Sequence, residues 1–156
     1  MGDERDLGGE ARQIIDANRY LTLATADGDG RPWASPVWFA HDAYAEFLWM
    51  SRPGARHSRN IAARPEIGFV VFDSTVVPDT AQALYVDAVA EEVGADEVES
   101  AIATYSARSE AQGIRPWRIA DVVGSAAWHR LYRARARSYS LQSGGDRRIA
   151  VELTTT

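Results

Sequence analysis

The sequence predicts a mostly β protein, a small antiparallel barrel with a few short helices. About seven short segments carry the alternating or continuous apolar pattern of strands, and Gly, Pro and Asp turn signals separate them. Only two or three segments carry the helical period. Strands in this proportion favour an antiparallel barrel over a layered α/β fold.

A chain of 156 residues that is 46% hydrophobic is long enough for one globular domain with a buried core. We expect that domain to span residues 10–156. Residues 1–9 are acidic and glycine-rich, and they are expected to form a disordered N-terminal tip.

The first half of the chain is predicted to contain a helix followed by three strands. Residues 10–18 place apolar side chains on one side of a helix. Residues 20–25 and 32–40 read as strands on either side of an Asp-Gly-Asp-Gly turn, which predicts a β-hairpin. Residues 47–50 form a third apolar strand, so we expect the three strands to form a meander.

The second half adds four strands and a covering helix. The β-branched and aromatic run 66–72 predicts a strand that is buried on both faces. Residues 83–93 predict a long strand, and residues 95–108 combine an acidic first turn with apolar residues at helical spacing. The last two strands are predicted at residues 128–141 and 149–153.

Three arginines share one face of the strand predicted at residues 128–141. Arg133, Arg135 and Arg137 alternate with other residues, and side chains of a strand point to opposite faces in turn. We interpret this row as a solvated edge that prevents sheet-to-sheet aggregation, in preference to a second anion site.

Charge and composition exclude several classes of partner. The net charge of −5 argues against nucleic acid, since duplex binding needs an excess of basic residues. Cysteine is absent, so disulfides and thiolate chemistry are excluded. The sequence has neither a bilayer-spanning apolar stretch nor a signal-peptide pattern, so we expect a cytoplasmic protein without a membrane partner.

The residues from Ser51 to Asn60 predict a strand-to-helix turn with an unusual charge. The first turn of a helix has a partial positive charge and unpaired N–H groups, so acidic residues are favoured there. Here Arg56, His57 and Arg59 occupy it instead, with two serine hydroxyls nearby. A bound phosphate would make this arrangement favourable. The alternative is a solvated basic surface helix.

The sequence contains no motif for a nucleophile, a general acid–base pair or a metal site. Motifs such as G-x-S-x-G and H-E-x-x-H are absent, and His41 and His129 have no second ligand at a useful spacing. Catalytic residues therefore stay unassigned, and no metal is expected. An anion site among many aromatics and no catalytic side chains indicates chemistry carried by a bound cofactor.

Five short runs between Tyr20 and Phe72 resemble the pyridoxamine 5'-phosphate oxidase-like, flavin-binding split-barrel family. The runs are Leu21-Thr22-Leu23-Ala24-Thr25, Asp27-Gly28-Asp29-Gly30-Arg31-Pro32, Ser35-Pro36-Val37-Trp38-Phe39, Ala55-Arg56-His57-Ser58-Arg59-Asn60-Ile61 and Arg64-Pro65-Glu66-Ile67. The resemblance implies a six- to seven-stranded antiparallel split β-barrel. It also implies a homodimer with FMN in a groove between the subunits.

The resemblance also implies which residues bind the cofactor. The second strand would run along the flavin ring, the next strand would end beside the ribityl chain, and Arg56 and His57 would hold the phosphate. Gln82 would reach the flavin ring. We expect Trp117, in a loop after Pro116, to close over a ring from the partner subunit. The expected cofactor-binding residues are Ser35, Pro36, Val37, Trp38, Met50, Ser51, Arg56, His57, Ser58, Gln82 and Trp117.

Two departures from the family pattern shape the functional hypotheses. His57 stands where many relatives have Lys, and residues 114–128 do not resemble the substrate-binding tail of true pyridoxamine phosphate oxidases, so vitamin B6 oxidation is the weaker assignment. Other members of the family use the deazaflavin coenzyme F-420 or bind haem.

The first functional hypothesis is an FMN-dependent oxidoreductase that passes hydride or electrons from a reduced nicotinamide to a small-molecule acceptor. A reductase dependent on coenzyme F-420, a non-catalytic flavin-binding carrier or sensor, and a cofactor-free interaction module are the alternatives.

Overall fold

The structure is a computed structural model that describes residues 5–143 and 146–153. The disorder predicted for residues 1–4 lies outside the described residues. Within the described ranges the chain forms α1 (Leu7–Ala17), β1 (Tyr20–Ala26), β2 (Pro32–Trp38), β3 (Ala40–Asp42), β4 (Glu46–Ser51), α2 (Arg56–Ala63), β5 (Glu66–Phe72), β6 (Ala83–Glu92), α3 (Val98–Ala111), a single 3-10 turn (Ile119–Asp121), β7 (Arg130–Ser143) and β8 (Arg147–Val151).

All the strands belong to one antiparallel sheet. Its order is β2-β1-β5-β6-β7-β4-β3, and β8 pairs with the outer part of β7. The sheet curls into a half-barrel. This confirms the predicted mostly β, antiparallel fold. None of the described helices is both long and apolar enough to cross a membrane.

The predicted hairpin is confirmed, but the predicted three-stranded meander is wrong. β1 and β2 pair in register from Tyr20 opposite Trp38 to Ala26 opposite Pro32. The strand expected at residues 32–40 is interrupted at Phe39, which is fully buried and donates its N–H to the carbonyl of Arg19. β3 then pairs with β4, and β4 pairs with β7 instead of β2.

Helix α1 begins earlier than the sequence pattern indicated. The side chain of Asp6 accepts a hydrogen bond of 2.8 Å from the Gly9 N–H, which makes Asp6 the N-cap. An N-cap carboxylate satisfies one of the unpaired first-turn donors and favours helix initiation at this point. Residues 7–9 therefore belong to the helix and not to the predicted disordered tip.

Two apolar cores cover the two faces of β4. Phe47 and Trp49 are fully buried in the larger core, which also contains residues from α1 and the inner face of the barrel. Leu48 points the other way, into a smaller core where Ile102 and Tyr105 of α3 pack. Successive side chains of β4 point into opposite cores, which explains why this strand has a continuous apolar run. It also confirms α3 as a covering helix.

The interpretation of the arginine row as a solvated edge is wrong. β7 is an inner strand between β6 and β4, and only 3% of Arg133 is exposed. Its Nη2 donates to Glu91 Oε1 at 2.8 Å and to Glu97 Oε1 at 2.7 Å. Glu91 lies directly opposite Arg133 on β6, and Glu97 precedes α3. Arg133 therefore ties the covering helix to the sheet.

The variant Arg133→Met should lower the free energy of unfolding by about 3 kcal/mol. Breaking a buried ion pair costs roughly 3–5 kcal/mol, and the low end applies because the partner glutamates are half exposed. Urea denaturation at neutral pH measures the change. Arg137→Met is the matched control, since Arg137 is exposed on the same strand and should change stability by less than about 0.5 kcal/mol. Equal losses in both variants would contradict this role.

The Arg133 contribution should also depend on pH. Hydrogen bonds from Arg133 lower the pKa of Glu91 and of Glu97. A carboxyl group with a lowered pKa stabilises the fold fully above its ordinary pKa, and the contribution is lost as the pH falls through the lowered value. The stability difference between wild type and Arg133→Met should therefore shrink in acid.

Candidate functional site

The predicted strand-to-helix turn is confirmed, and it leaves the start of α2 without a side-chain cap. β4 ends at Ser51 and α2 begins at Arg56. The N-cap residue is Ala55, which has no side chain able to accept a hydrogen bond, and the first helical bond runs from the Arg59 N–H to the Ala55 carbonyl. The N–H groups of the first helical turn, residues 56–58, thus remain available to an anion at the positive end of the helix.

A chain of hydrogen bonds joins His57 to serines on three elements. His57 Nε2 lies 2.7 Å from Ser51 Oγ at the end of β4, and Nδ1 lies 3.1 Å from Ser35 Oγ on β2. Ser58 donates its hydroxyl to Ser51 Oγ at 3.1 Å. Burial lowers the pKa of His57. Burial therefore favours the neutral imidazole, in which one ring nitrogen donates and the other accepts.

The two arginines of the first turn point to different neighbours. The Arg56 guanidinium lies over the Trp33 ring, with its carbon 4.3 Å from the ring centroid. Trp33 is on β2 and is 41% exposed. Arg59 instead turns back and donates to the Gly54 carbonyl. Arg56 thus carries its charge towards the β2 side of the turn, while Arg59 braces the loop before the helix.

A groove of about 620 Å³ opens beside the start of α2, and we call it the α2 groove. It lies where β4 and β7 pair, with Ser51 opposite Arg130, and this pairing brings His129 beside the end of β4. The groove is lined by Met50, Ser51, Arg52, Gly54, Ala55 and His129. A methyl group built on Gly54 would meet nothing within 4 Å, so the backbone there faces open space.

A second pocket of about 270 Å³ adjoins the α2 groove, and we call it the tryptophan pocket. Its walls are Trp117, Trp128, Arg115, Asp121, His129 and three alanines. His129 lines both cavities. Trp128 is 72% exposed, and the Arg52 guanidinium carbon lies 5.1 Å from its ring centroid.

The structure brings together most of the residues predicted from the turn itself. Met50 and Ser51 line the α2 groove, and Ser35, His57 and Ser58 join Ser51 through hydrogen bonds. Arg56 follows in the same helical turn but contacts Trp33.

The remaining predicted residues lie elsewhere in the chain. Pro36 is exposed on β2, Val37 is in the larger core, and Trp38 packs against Tyr105 with its Nε1 donating to Gln112. Gln82 precedes β6 and donates to Glu10 of α1 at 3.4 Å. Trp117 lines the tryptophan pocket and does not line the α2 groove.

Sequence reasoning missed three features of the site. Trp33, whose ring lies under the Arg56 guanidinium, is on β2, and only the folded structure brings β2 close to α2. His129, which has no second ligand nearby in the sequence, reaches the groove through the β4–β7 pairing. Asn60 donates to Thr25 Oγ1 at 3.0 Å, and both side chains are buried, which fixes α2 on β1. The only local sign of this contact in the sequence is a polar residue, Asn60, directly before the apolar Ile61.

Comparison with known proteins gives a family match and several similar folds. The sequence model of the family described as Pyridoxamine 5'-phosphate oxidase matches residues 7–138. No curated protein sequence matches the chain.

Three solved structures illustrate the likeness of fold. A heme binding protein from Mycobacterium smegmatis is 21% identical with a TM-score of 0.73, and the match covers 97% of this chain and 60% of that one. The heme storage protein HutZ from Vibrio cholerae is 24% identical with a TM-score of 0.66, covering 85% and 92%. A FAD-binding protein from Mesorhizobium loti is 21% identical with a TM-score of 0.64, covering 85% and 91%.

At these identities the likeness bears on the fold alone, and it confirms the split barrel. The chain spans 60% of the length of the mycobacterial protein.

The imidazole of His57 should titrate below the ordinary pKa of histidine in the protein without ligand. Its burial disfavours the charged form, so protonation in acid also costs stability. NMR titration of the ring signals, assigned by their loss in His57→Gln, measures the pKa. A pKa above the ordinary value would mean that an acidic neighbour, and not burial, controls this side chain.

Proposed function

The chain belongs to the pyridoxamine 5'-phosphate oxidase family, and from this premise we propose that it binds FMN at the α2 groove and acts as an FMN-dependent oxidoreductase. The observation that carries the proposal is the uncapped start of α2, which combines free N–H groups with Arg56 and His57 beside an open groove. Bound FMN would supply the transfer of hydride or electrons. The residues of the chain bind and orient it.

The donors around the start of α2 fit a phosphate group. A phosphate needs several donors and positive charge, and the helix terminus and Arg56 offer both. The hydroxyl of Ser51 adds one donor, and Ser58 supports it by donating to Ser51 Oγ. A nearby dianion favours protonated His57, which would then donate through both ring nitrogens. Ser51 would be free to donate to the phosphate, because its oxygen then accepts from His57.

The size and lining of the groove fit a small planar cofactor. Its volume of about 620 Å³ lies within the roughly 300–1,000 Å³ of small-molecule sites. Met50 gives an apolar contact on one wall, and the open space above Gly54 allows a ligand to approach the backbone.

Heme binding is the second candidate function. The observation that favours it is His129, an imidazole on the groove wall, because imidazole is the common axial ligand of heme iron. Two of the similar structures are described as heme proteins. The absorption spectrum of the purified protein, or of protein incubated with each cofactor, separates the two candidates.

We also propose that two copies of the chain form a dimer that covers the groove. Trp33, Phe72 and Trp128 are all more than two-fifths exposed. Exposed large apolar residues favour an interface, and two-fold pairing is the commonest arrangement. Gln82, which does not meet the groove of its own subunit, would then contribute from the partner.

FMN affinity should fall about ten- to a hundredfold in Arg56→Ala, because a charge-assisted hydrogen bond contributes roughly 1.5–3 kcal/mol. Arg59→Ala is the matched control, since Arg59 braces the Gly54 carbonyl and should matter clearly less. Flavin fluorescence titration measures both. Riboflavin, which lacks the phosphate, should bind wild type and Arg56→Ala alike.

Two outcomes would contradict this placement of the phosphate. One is an equal loss of FMN affinity in the two variants. The other is an Arg56→Ala protein that still prefers FMN to riboflavin as strongly as wild type does. Turnover of a reduced nicotinamide with a dye acceptor then tests the oxidoreductase, while binding without turnover would favour a carrier or sensor.

The FMN-loaded protein should sediment with the mass of a dimer. Analytical ultracentrifugation over a range of concentrations measures this, and Trp33→Glu should shift the distribution towards monomer because a buried charge is costly at an interface. A stable monomer that retains FMN would exclude the shared site.

A further inference from the structure

We propose that the tryptophan pocket is the substrate end of the FMN site and that it takes a planar aromatic ring carrying a carboxylate. The link to FMN rests on the proposed function. The binding of the aromatic acid rests on the pocket itself.

The pocket has the shape of a site for one flat ring. Two indoles, Trp117 and Trp128, share it with three alanines, whose small side chains leave the space between the larger walls open. Its volume of about 270 Å³ is at the lower end of the range of small-molecule sites, roughly 300–1,000 Å³. A single substituted ring fits this space better than a nucleotide does.

Trp117 is a fixed wall of the pocket. Its backbone N–H donates to Ser106 Oγ at 2.9 Å, and its Nε1 donates to Ser109 Oγ at 3.2 Å. Its ring meets the Tyr105 ring edge to face, with centroids 6.0 Å apart. Because these three contacts already fix the Trp117 side chain, ligand binding costs little free energy for ordering it.

Arg115 gives the pocket its preference for an anion. Its guanidinium carbon lies 3.5 Å from the Trp117 ring centroid, so the charge is held against the wall. Within the described residues its hydrogen bonds, to the Pro116 carbonyl and to Asp121 Oδ2, both start from Nη1. Nη2 and Nε therefore remain for a carboxylate, which a guanidinium binds through two parallel bonds.

Asp121 pairs with Arg115 and offsets part of its charge. Its Oδ2 accepts the Arg118 N–H at 2.8 Å as well as the Arg115 contact at 3.5 Å. These hydrogen bonds lower its pKa and keep it ionised, but both involve Oδ2, on the Nη1 side of the guanidinium. Arg52, over the outer tryptophan, adds a second cation on the side of the α2 groove, and it forms no ion pair within the described part of the chain.

The position of the pocket connects it to the proposed cofactor. His129 lines both the tryptophan pocket and the α2 groove, so the two cavities meet at its side chain. The neighbouring Trp128 is 72% exposed, so its indole contributes little to the buried core of the domain. An exposed indole beside a cation and a cavity is typical of a ligand contact.

The experiment uses benzoate as the probe, with saturation-transfer NMR on the protein without added cofactor. Benzoate should bind. Cyclohexanecarboxylate, which keeps the charge but is not planar, and benzamide, which keeps the ring but is neutral, should each bind at least about threefold more weakly. Equal binding of all three probes, or absence of saturable benzoate binding, would overturn the proposal.

The variant Arg115→Gln should weaken benzoate binding by about ten- to a hundredfold. Arg118→Gln is the matched control, because Arg118 is an exposed arginine of the same loop that does not line the pocket, and it should change binding by less than about threefold. Both replacements are at the surface, so both proteins should fold. Equal effects of the two variants would remove Arg115 from the site.

A second measurement separates this inference from the proposed function. In FMN-loaded protein, benzoate should shift the flavin absorption band, since the two cavities meet at His129. Benzoate binding that leaves the flavin spectrum unchanged would overturn the assignment as the substrate end. A protein that binds benzoate but no flavin would overturn the proposed function, and with it the link to FMN, while the aromatic-acid site would stand.

Discussion

The pairing of β4 with β7 is the contact on which the rest of the structure depends. It brings β7, a strand from the last third of the chain, beside a strand from the first third, with Trp49 opposite Tyr132 and Ser51 opposite Arg130. Both faces of β4 are then covered, one by the barrel interior and one by α3. The same pairing ends beside the start of α2, which is why the α2 groove has one wall from the end of β4 and another from His129, just before β7.

Local signals in the sequence were enough for the elements that depend on neighbouring residues. The β1–β2 hairpin follows from its Asp-Gly-Asp-Gly turn, and α2 follows from an apolar strand, a Pro-Gly turn and a helix stopped before Pro65. Each of these features is decided within about ten residues. The interruption at Phe39 was missed because it depends on a buried position in the barrel, which no local pattern indicates.

The burial of Arg133, in the arginine row of β7, is also something that a local sequence pattern does not indicate. A period of two correctly placed Arg133 on one face of a strand, but its burial depends on Glu91 and Glu97, which the fold brings to it. Without those partners a buried guanidinium is too costly, so the sequence alone favoured exposure. In the candidate site, the residues of the turn could be predicted together, whereas His129 and Trp33 come from strands whose pairing partners are distant in sequence.

The hydrogen bonds of His57 span the opening of the split barrel. β2 is one end of the sheet and β4 lies next to the other end, so no backbone ladder joins these two strands in the described part of the chain. The imidazole nevertheless contacts Ser35 on β2 and Ser51 on β4. It therefore holds β2 and β4 together across the gap between them. A ligand that changes the protonation of this ring changes the donor and acceptor roles in both hydrogen bonds, so its binding would act on the contact between β2 and β4 through a single side chain.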